Sequence, residues 1–201
     1  MTMTIASLDR ARLIRIADLF AIALAAALPW STSAAGILAA FWALTLIAMF
    51  DVRALRDTVA TAAGGLPVLL VAFGVIGMLW ADVSLAERWE GIGSFVKLLV
   101  IPLFFIHFQR SERGVYVFAA FVLSCLSVLI VTALVMLIPP LAAELVKFDN
   151  VIVRNAASQS GEFVLCMFGL FYVAADLIER RQWRWLLAIA LIVAAMLVSM
   201  V

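Results

Sequence analysis

Val115-Tyr-Val-Phe-Ala-Ala-Phe-Val-Leu-Ser-Cys-Leu-Ser-Val-Leu-Ile-Val-Thr-Ala-Leu-Val-Met-Leu-Ile138 carries no charged side chain and is apolar on every side of a helix from residue 119 onward. A helix needs about 20 such residues to cross the hydrocarbon core of a bilayer. A transmembrane barrel strand would instead alternate in polarity, which this stretch does not. It therefore predicts a membrane-crossing helix. Six more apolar runs accompany it, at residues 13–30, 34–50, 66–81, 95–108, 158–177 and 185–201. The chain is 67% hydrophobic and 13% charged, with a mean hydropathy of +1.20, far outside the range of soluble domains. The expected fold is all-α, a single polytopic domain over residues 1–201 with seven transmembrane helices.

Arginines punctuate every second junction between these runs. They are Arg10, Arg12 and Arg15; Arg53 and Arg56; Arg110 and Arg113; and Arg180, Arg181 and Arg184. Positive charge is retained on the cytoplasmic side of a membrane, so the alternation predicts an orientation. The N-terminus and residues 51–65, 109–114 and 179–184 are expected in the cytoplasm. Residues 82–93 and 141–157 are expected on the far side, where only Arg88, Lys97, Lys147 and Arg154 bring positive charge. The N-terminus resembles a signal peptide, with arginines, an apolar stretch at 19–28, and small residues at Ser31, Ser33 and Ala34. A second apolar run follows almost at once, so a retained anchor is expected. The last apolar run is unbroken at residue 201, and the chain is expected to be a piece of a longer protein.

Two far-side segments carry unusual chemistry. Ser84-Leu-Ala-Glu87 has the spacing of a capping box and predicts a helix start at Ser84. Continued into the fourth run, that helix places Glu87, Glu90, Ser94 and Lys97 near one face, with Gly91 and Gly93 as possible bends. Lys97 then reads as an inward cation or as a snorkelling interfacial one. In the second segment Pro139-Pro140 ends the fifth run. Leu141, Leu145 and Phe148, with Glu144 and Lys147 between them, suggest a short surface helix. Asn155, Gln159, Glu162 and Cys166 follow at helical spacing, a polar stripe entering the sixth run. A charged side chain inside a membrane helix costs a few kcal/mol and usually faces a wet cavity or a partner, but interhelical hydrogen bonding explains such a stripe equally well. On the cytoplasmic side, Gly64-Gly65-Leu66-Pro67 reads as a place where one helix stops and the next starts.

Several chemistries are not indicated. Cys125 and Cys166 lie inside apolar runs without CxxC or Cys/His spacing and read as small helix residues. His107, the only histidine, falls near the cytoplasmic end of the fourth run and reads as interfacial. Neither metal-ligand spacing nor a nucleophilic triad, GxSxG, Walker or GxGxxG motif appears. No basic cluster with interleaved aromatics suggests nucleic acid. No cofactor is expected.

Leu79-Trp80-Ala81, Ala86-Glu87-Arg88 and Phe95-Val96-Lys97-Leu98-Leu99 resemble the early region of the O-antigen ligase family. So does the helix entry Arg154-Asn155-Ala156-Ala157-Ser158-Gln159-Ser160. The resemblance covers most of this chain and about the N-terminal half of a typical member. It implies the N-terminal part of a GT-C-like bundle in the bacterial inner membrane. It implies a glycosyltransferase of lipopolysaccharide or polysaccharide biosynthesis that takes glycan from undecaprenyl diphosphate, without a nucleotide-sugar donor or metal. The acceptor would be lipid A–core or another glycan, with membrane lipid as surroundings. The family's catalytic loop lies in the half the resemblance does not reach, so no catalytic residue carries over and this chain alone is expected to be inactive. Arg154, Lys97 and Arg88 are the candidate contacts to the carrier diphosphate, supported by Asn155, Gln159 and Glu162. Positioned cations suit that chemistry, because the leaving diphosphate gains negative charge and arginine can grip two oxygens at once. Two other readings stay open: a transporter or flippase-like fragment with Glu162 and Lys97 along its path, and a non-enzymatic membrane scaffold.

Overall fold

The computed structural model describes residues 5–138 and 156–200. Among these residues the regular structure is helical throughout. In chain order the helices are α1 (Ile5–Ala27), α2 (Thr32–Ile47), α3 (Val52–Val59), α4 (Ala62–Gly77), α5 (Leu85–Val96), a 3₁₀ turn (Lys97–Leu99), α6 (Val100–Phe108), α7 (Gly114–Leu137), α8 (Ala156–Glu179) and α9 (Trp183–Val198). Among the described residues each apolar run thus falls on helix, the fourth on the end of α5, the 3₁₀ turn and α6. The expected surface helix around residues 141–148 lies outside the described residues, as do Arg154 and Asn155.

Length separates the helices. Leu85–Phe108, Gly114–Val135 and Gln159–Glu179 are long and apolar enough to cross a membrane. Helices α2 and α3 pass together but meet at a bend of 116°, and counting them as one broken span gives four. Helices α4 and α9 have 16 residues each, or roughly 24 Å at 1.5 Å per residue, short of the roughly 30 Å core. Helix α1 carries Asp9, Arg10, Arg12, Arg15 and Asp18 along its length.

Local chemistry explains where the helices start and stop. Asp51 caps α3 by accepting from the Arg53 amide at 3.0 Å. That amide, opposed by loss of solvent and joined by the Ala54 amide and the Arg110 charge, holds the Asp51 carboxyl below the usual range. The α3–α4 break comes at Ala60-Thr61, earlier than the expected Gly64-Gly65 position, because Thr61 caps α4 by accepting from the Gly64 amide. The glycine serves close approach instead: a Cβ at Gly64 would collide with the Thr58 carbonyl and methyl. Pro67 is carried inside α4.

The expected capping box is present at the start of α5. Ser84 Oγ accepts from the Glu87 amide at 3.4 Å, and Glu87 Oε2 accepts from the Ser84 amide at 2.9 Å. The helix then runs through Gly91 and Gly93 without a break; the irregularity falls later, at Lys97–Leu99. Pro102 accounts for this. It cannot donate to the Leu98 carbonyl, and its ring crowds that same carbonyl, so the preceding turn tightens. Helix α8 ends with Arg181 in the left-handed region at φ 54°. The Gln182 amide donates to Leu177 and the Arg181 amide to Ile178, the pairing of a Schellman turn in which glycine is the usual occupant.

The chain divides into two compact units, one comprising Met1–Asp18 and Phe41–Gly114, the other Leu19–Ala40 and Val115–Val201. The core of the first is built on Trp42, fully buried and stacked on Phe104 with ring centroids 4.3 Å apart, with Phe108 and His107 alongside. The core of the second joins Ala25, Phe121, Cys125, Phe163, Cys166 and Met196. Lipid tails are as apolar as leucine, so helices in a bilayer are held by close packing and polar contacts. The second unit uses both. Ser124 Oγ donates to the Ala26 carbonyl at 2.6 Å, Gln159 Nε2 to Thr132 Oγ1 at 3.3 Å, and Gly169 gives space to the Phe118 ring. The expectation that Cys125 and Cys166 are small helix residues stands, with one addition: the two buried thiols belong to the same packed cluster between α7 and α8.

Candidate functional site

The far-side cations have different fates. Arg88 is turned back on the corner that precedes its helix: Nη2 donates to the Ala81 carbonyl at 2.6 Å and Nε to the Val83 carbonyl at 3.1 Å. It is thereby a staple of that corner, with much of its donor fork already used. Lys97 is exposed at the end of α5. Nine residues separate the two, which on a regular helix puts them on opposite sides. Both belong to the first unit, whereas Gln159 and Glu162 belong to the second. Within α8 the polar stripe faces α7, because Gln159 reaches Thr132 and Cys166 packs in one cluster with Cys125. Interhelical hydrogen bonding therefore describes Gln159 and close packing describes Cys166, and Glu162 sits half-buried between them.

A tighter constellation lies in the first unit, around a residue that the sequence reading passed over. Asp18 of α1 is 2% exposed, although it falls inside an apolar run. The rule that ionisable residues within membrane helices are functional candidates, applied to Asp18, would have singled it out. His107 of α6, expected at an interface, is instead 1% exposed, with Nε2 only 3.0 Å from Asp18 Oδ1. That approach lacks the alignment of a full hydrogen bond, and Nε2 has no other partner. Ser111 Oγ donates to the same carboxylate oxygen. Arg113, about half exposed, brings Nε to 3.8 Å from Oδ2. Trp42 closes the cluster edge-on to His107 at 6.1 Å, with its buried Nε1 unpartnered.

The order of contacts decides what this cluster can do. In a hydrolytic triad histidine stands between serine and carboxylate, so that it can take the serine proton. Here the carboxylate stands in the middle, with Ser111 and His107 both at Oδ1. Ser111 cannot pass its proton to His107, and nucleophilic catalysis of that type is excluded. Among the described residues no group of three or more His, Cys, Asp or Glu is arranged to hold a metal ion. What the cluster holds is a buried pair of ionisable side chains. A cavity of about 110 Å³ adjoins it, lined mostly by apolar side chains with His107, Arg110 and Asp51 on its wall. Arg110 there donates to the Met49 carbonyl at 3.1 Å and to Asp51 Oδ2 at 2.9 Å.

The fold and these sites define a helical protein with several helices able to cross a membrane, and so are consistent with a membrane protein. No family model, curated protein or solved structure matches the chain.

Proposed function

We propose that this chain crosses the bacterial inner membrane seven times, with its N-terminus in the cytoplasm. We propose further that it forms the early membrane region of a glycan transferase of the O-antigen ligase type, moving glycan from undecaprenyl diphosphate to a lipid or glycan acceptor at the periplasmic face. The arginine alternation supports the orientation, and the shorter helices α4 and α9 require local thinning of the bilayer or snorkelling flanks. The observation that carries the enzymatic reading is the build of the 79–99 stretch. The residues that resemble the family form one unit: a corner stapled by Arg88, a helix capped by Ser84 and Glu87, and Lys97 exposed at its end. In this reading Arg88 positions the corner, and Lys97 and Arg154 meet the diphosphate.

The orientation is checked with an impermeant thiol reagent in intact cells, using single cysteines at the exposed positions Asp57 and Asp82 after Cys125 and Cys166 are replaced by alanine. Labelling is expected at position 82 and protection at position 57; the reverse pattern overturns the topology. The function is checked by deleting the gene in its host. The expected result is accumulation of carrier-linked glycan together with loss of its transfer or extension. In the complemented strain, Arg154→Lys is expected to lose about tenfold or more in activity, because a point charge replaces charged hydrogen bonds worth about 1.5–3 kcal/mol. An unchanged glycan profile on deletion rejects the transferase reading. Full activity of Arg154→Ala at normal abundance removes only that residue from the site.

A further inference from the structure

A carboxylate in a membrane helix is costly, and an apolar residue at position 18 would remove that cost. Asp18 is nevertheless buried, facing His107 from α1, with Ser111 on the turn after α6. Asp18 Oδ1 and His107 Nε2 lie 3.0 Å apart, so a neutral imidazole faces the carboxylate with its Nε2–H, and the pair keeps the carboxylate's negative charge. Ser111 already supplies the carboxylate with one donor. The partly exposed Arg113 supplies only a distant, solvent-screened charge. On α1 itself, Arg15 lies one turn before Asp18 and donates to the Ala11 carbonyl, and Asp51 and Arg110 by the cavity are paired with each other at 2.9 Å. With a neutral imidazole the site therefore keeps a buried net negative charge, which one further proton, forming imidazolium, cancels; His107 also lies on the wall of a largely apolar cavity.

We propose that Asp18, His107 and Ser111 form a proton-binding site that exchanges with water through the largely apolar cavity that has His107, Arg110 and Asp51 on its wall. The ligand is one proton, taken from hydronium and shared between imidazole and carboxylate. Water is released and no other bond changes. Because Ser111 and Arg113 both address the carboxylate, proton occupancy also sets how tightly the 109–113 turn is held to α1. The site operates at the side of the membrane that carries this turn, independently of glycan transfer.

The chain holds a single histidine, so its imidazole can be read without assignment. The full chain, labelled with ¹⁵N-histidine, purified through a histidine-free tag and placed in phospholipid nanodiscs, is titrated by NMR. One transition is expected within about pH 5–8. In Asp18→Asn the negative partner is gone, and the midpoint is expected to fall by about one unit or more, a tenfold weaker hold on the proton. In Ser111→Ala the carboxylate loses a donor and its charge bears more fully on the imidazole, so the imidazole midpoint is expected to rise by about half a unit. This second variant leaves the buried charge in place and supplies the measurement if Asp18→Asn does not accumulate. A midpoint identical to wild type in the variants that fold overturns the proposal. So does a wild-type imidazole without any transition between about pH 4 and 9.

Discussion

Asp18→Ala is expected to destabilise the protein by about 1–3 kcal/mol, the usual cost of leaving a buried polar group unsatisfied. The change strips His107 of its only neighbour for Nε2, leaves the Ser111 hydroxyl without its acceptor and opens a gap against α6. The paired replacement Asp18→Leu with His107→Leu is expected to recover much of that loss, because it removes both polar groups and refills the space. Reconstituted protein unfolded in a graded denaturing detergent and followed by circular dichroism gives the comparison. If the double variant is as damaged as Asp18→Ala, the pair is not the source of the effect. If Asp18→Ala is neutral, the carboxylate is not buried as described. Recovery of stability by the double variant should come with loss of the imidazole titration, since the proton site goes with the pair.

Trp42→Ala is the second large effect, at about 3–5 kcal/mol. Trp42 is fully buried and stacks on Phe104. Lipid does not reward burial as water does, so the loss comes mainly from packing contacts and from the cavity left behind. Trp42→Phe separates the ring from its N–H. Nε1 lacks an acceptor, so phenylalanine removes an unsatisfied donor while keeping an aromatic face on Phe104, and a change below about 1.5 kcal/mol is expected. The same unfolding assay reads both variants. A phenylalanine variant as unstable as the alanine one would mean that the indole N–H has a partner after all.

Much of the local structure was legible before the fold. Ser84 and Glu87 announced their helix start through a three-residue spacing, and the apolar runs announced each long helix. Other junctions were misplaced for identifiable reasons. Gly64-Gly65 looked like a break, yet Thr61 caps the helix earlier and the glycine is needed for contact with Thr58. Gly91 and Gly93 looked like a bend, whereas Pro102 acts from beyond the fourth run's start and tightens Lys97–Leu99. The site was least legible. Arg88 looked free because its acceptors are backbone carbonyls, which no side-chain pattern advertises. His107 looked interfacial because its partner is far away in sequence, and Ser111 meets the same partner across a separation of 93 residues.

The sequence by itself determined a chain of apolar helices, the cap at Ser84 and the charge pattern that argues for an orientation. These depend on spacings of a few residues and on the length of uncharged runs, which are local quantities. Only the tertiary structure decided that Asp18 faces His107, that Cys125 meets Cys166 and that Arg88 is committed to its own corner. In a soluble helix a polar face shows which side is buried. In helices apolar all round, such as α7, no such contrast exists, so the inward face emerges only from how helices distant in sequence fit together.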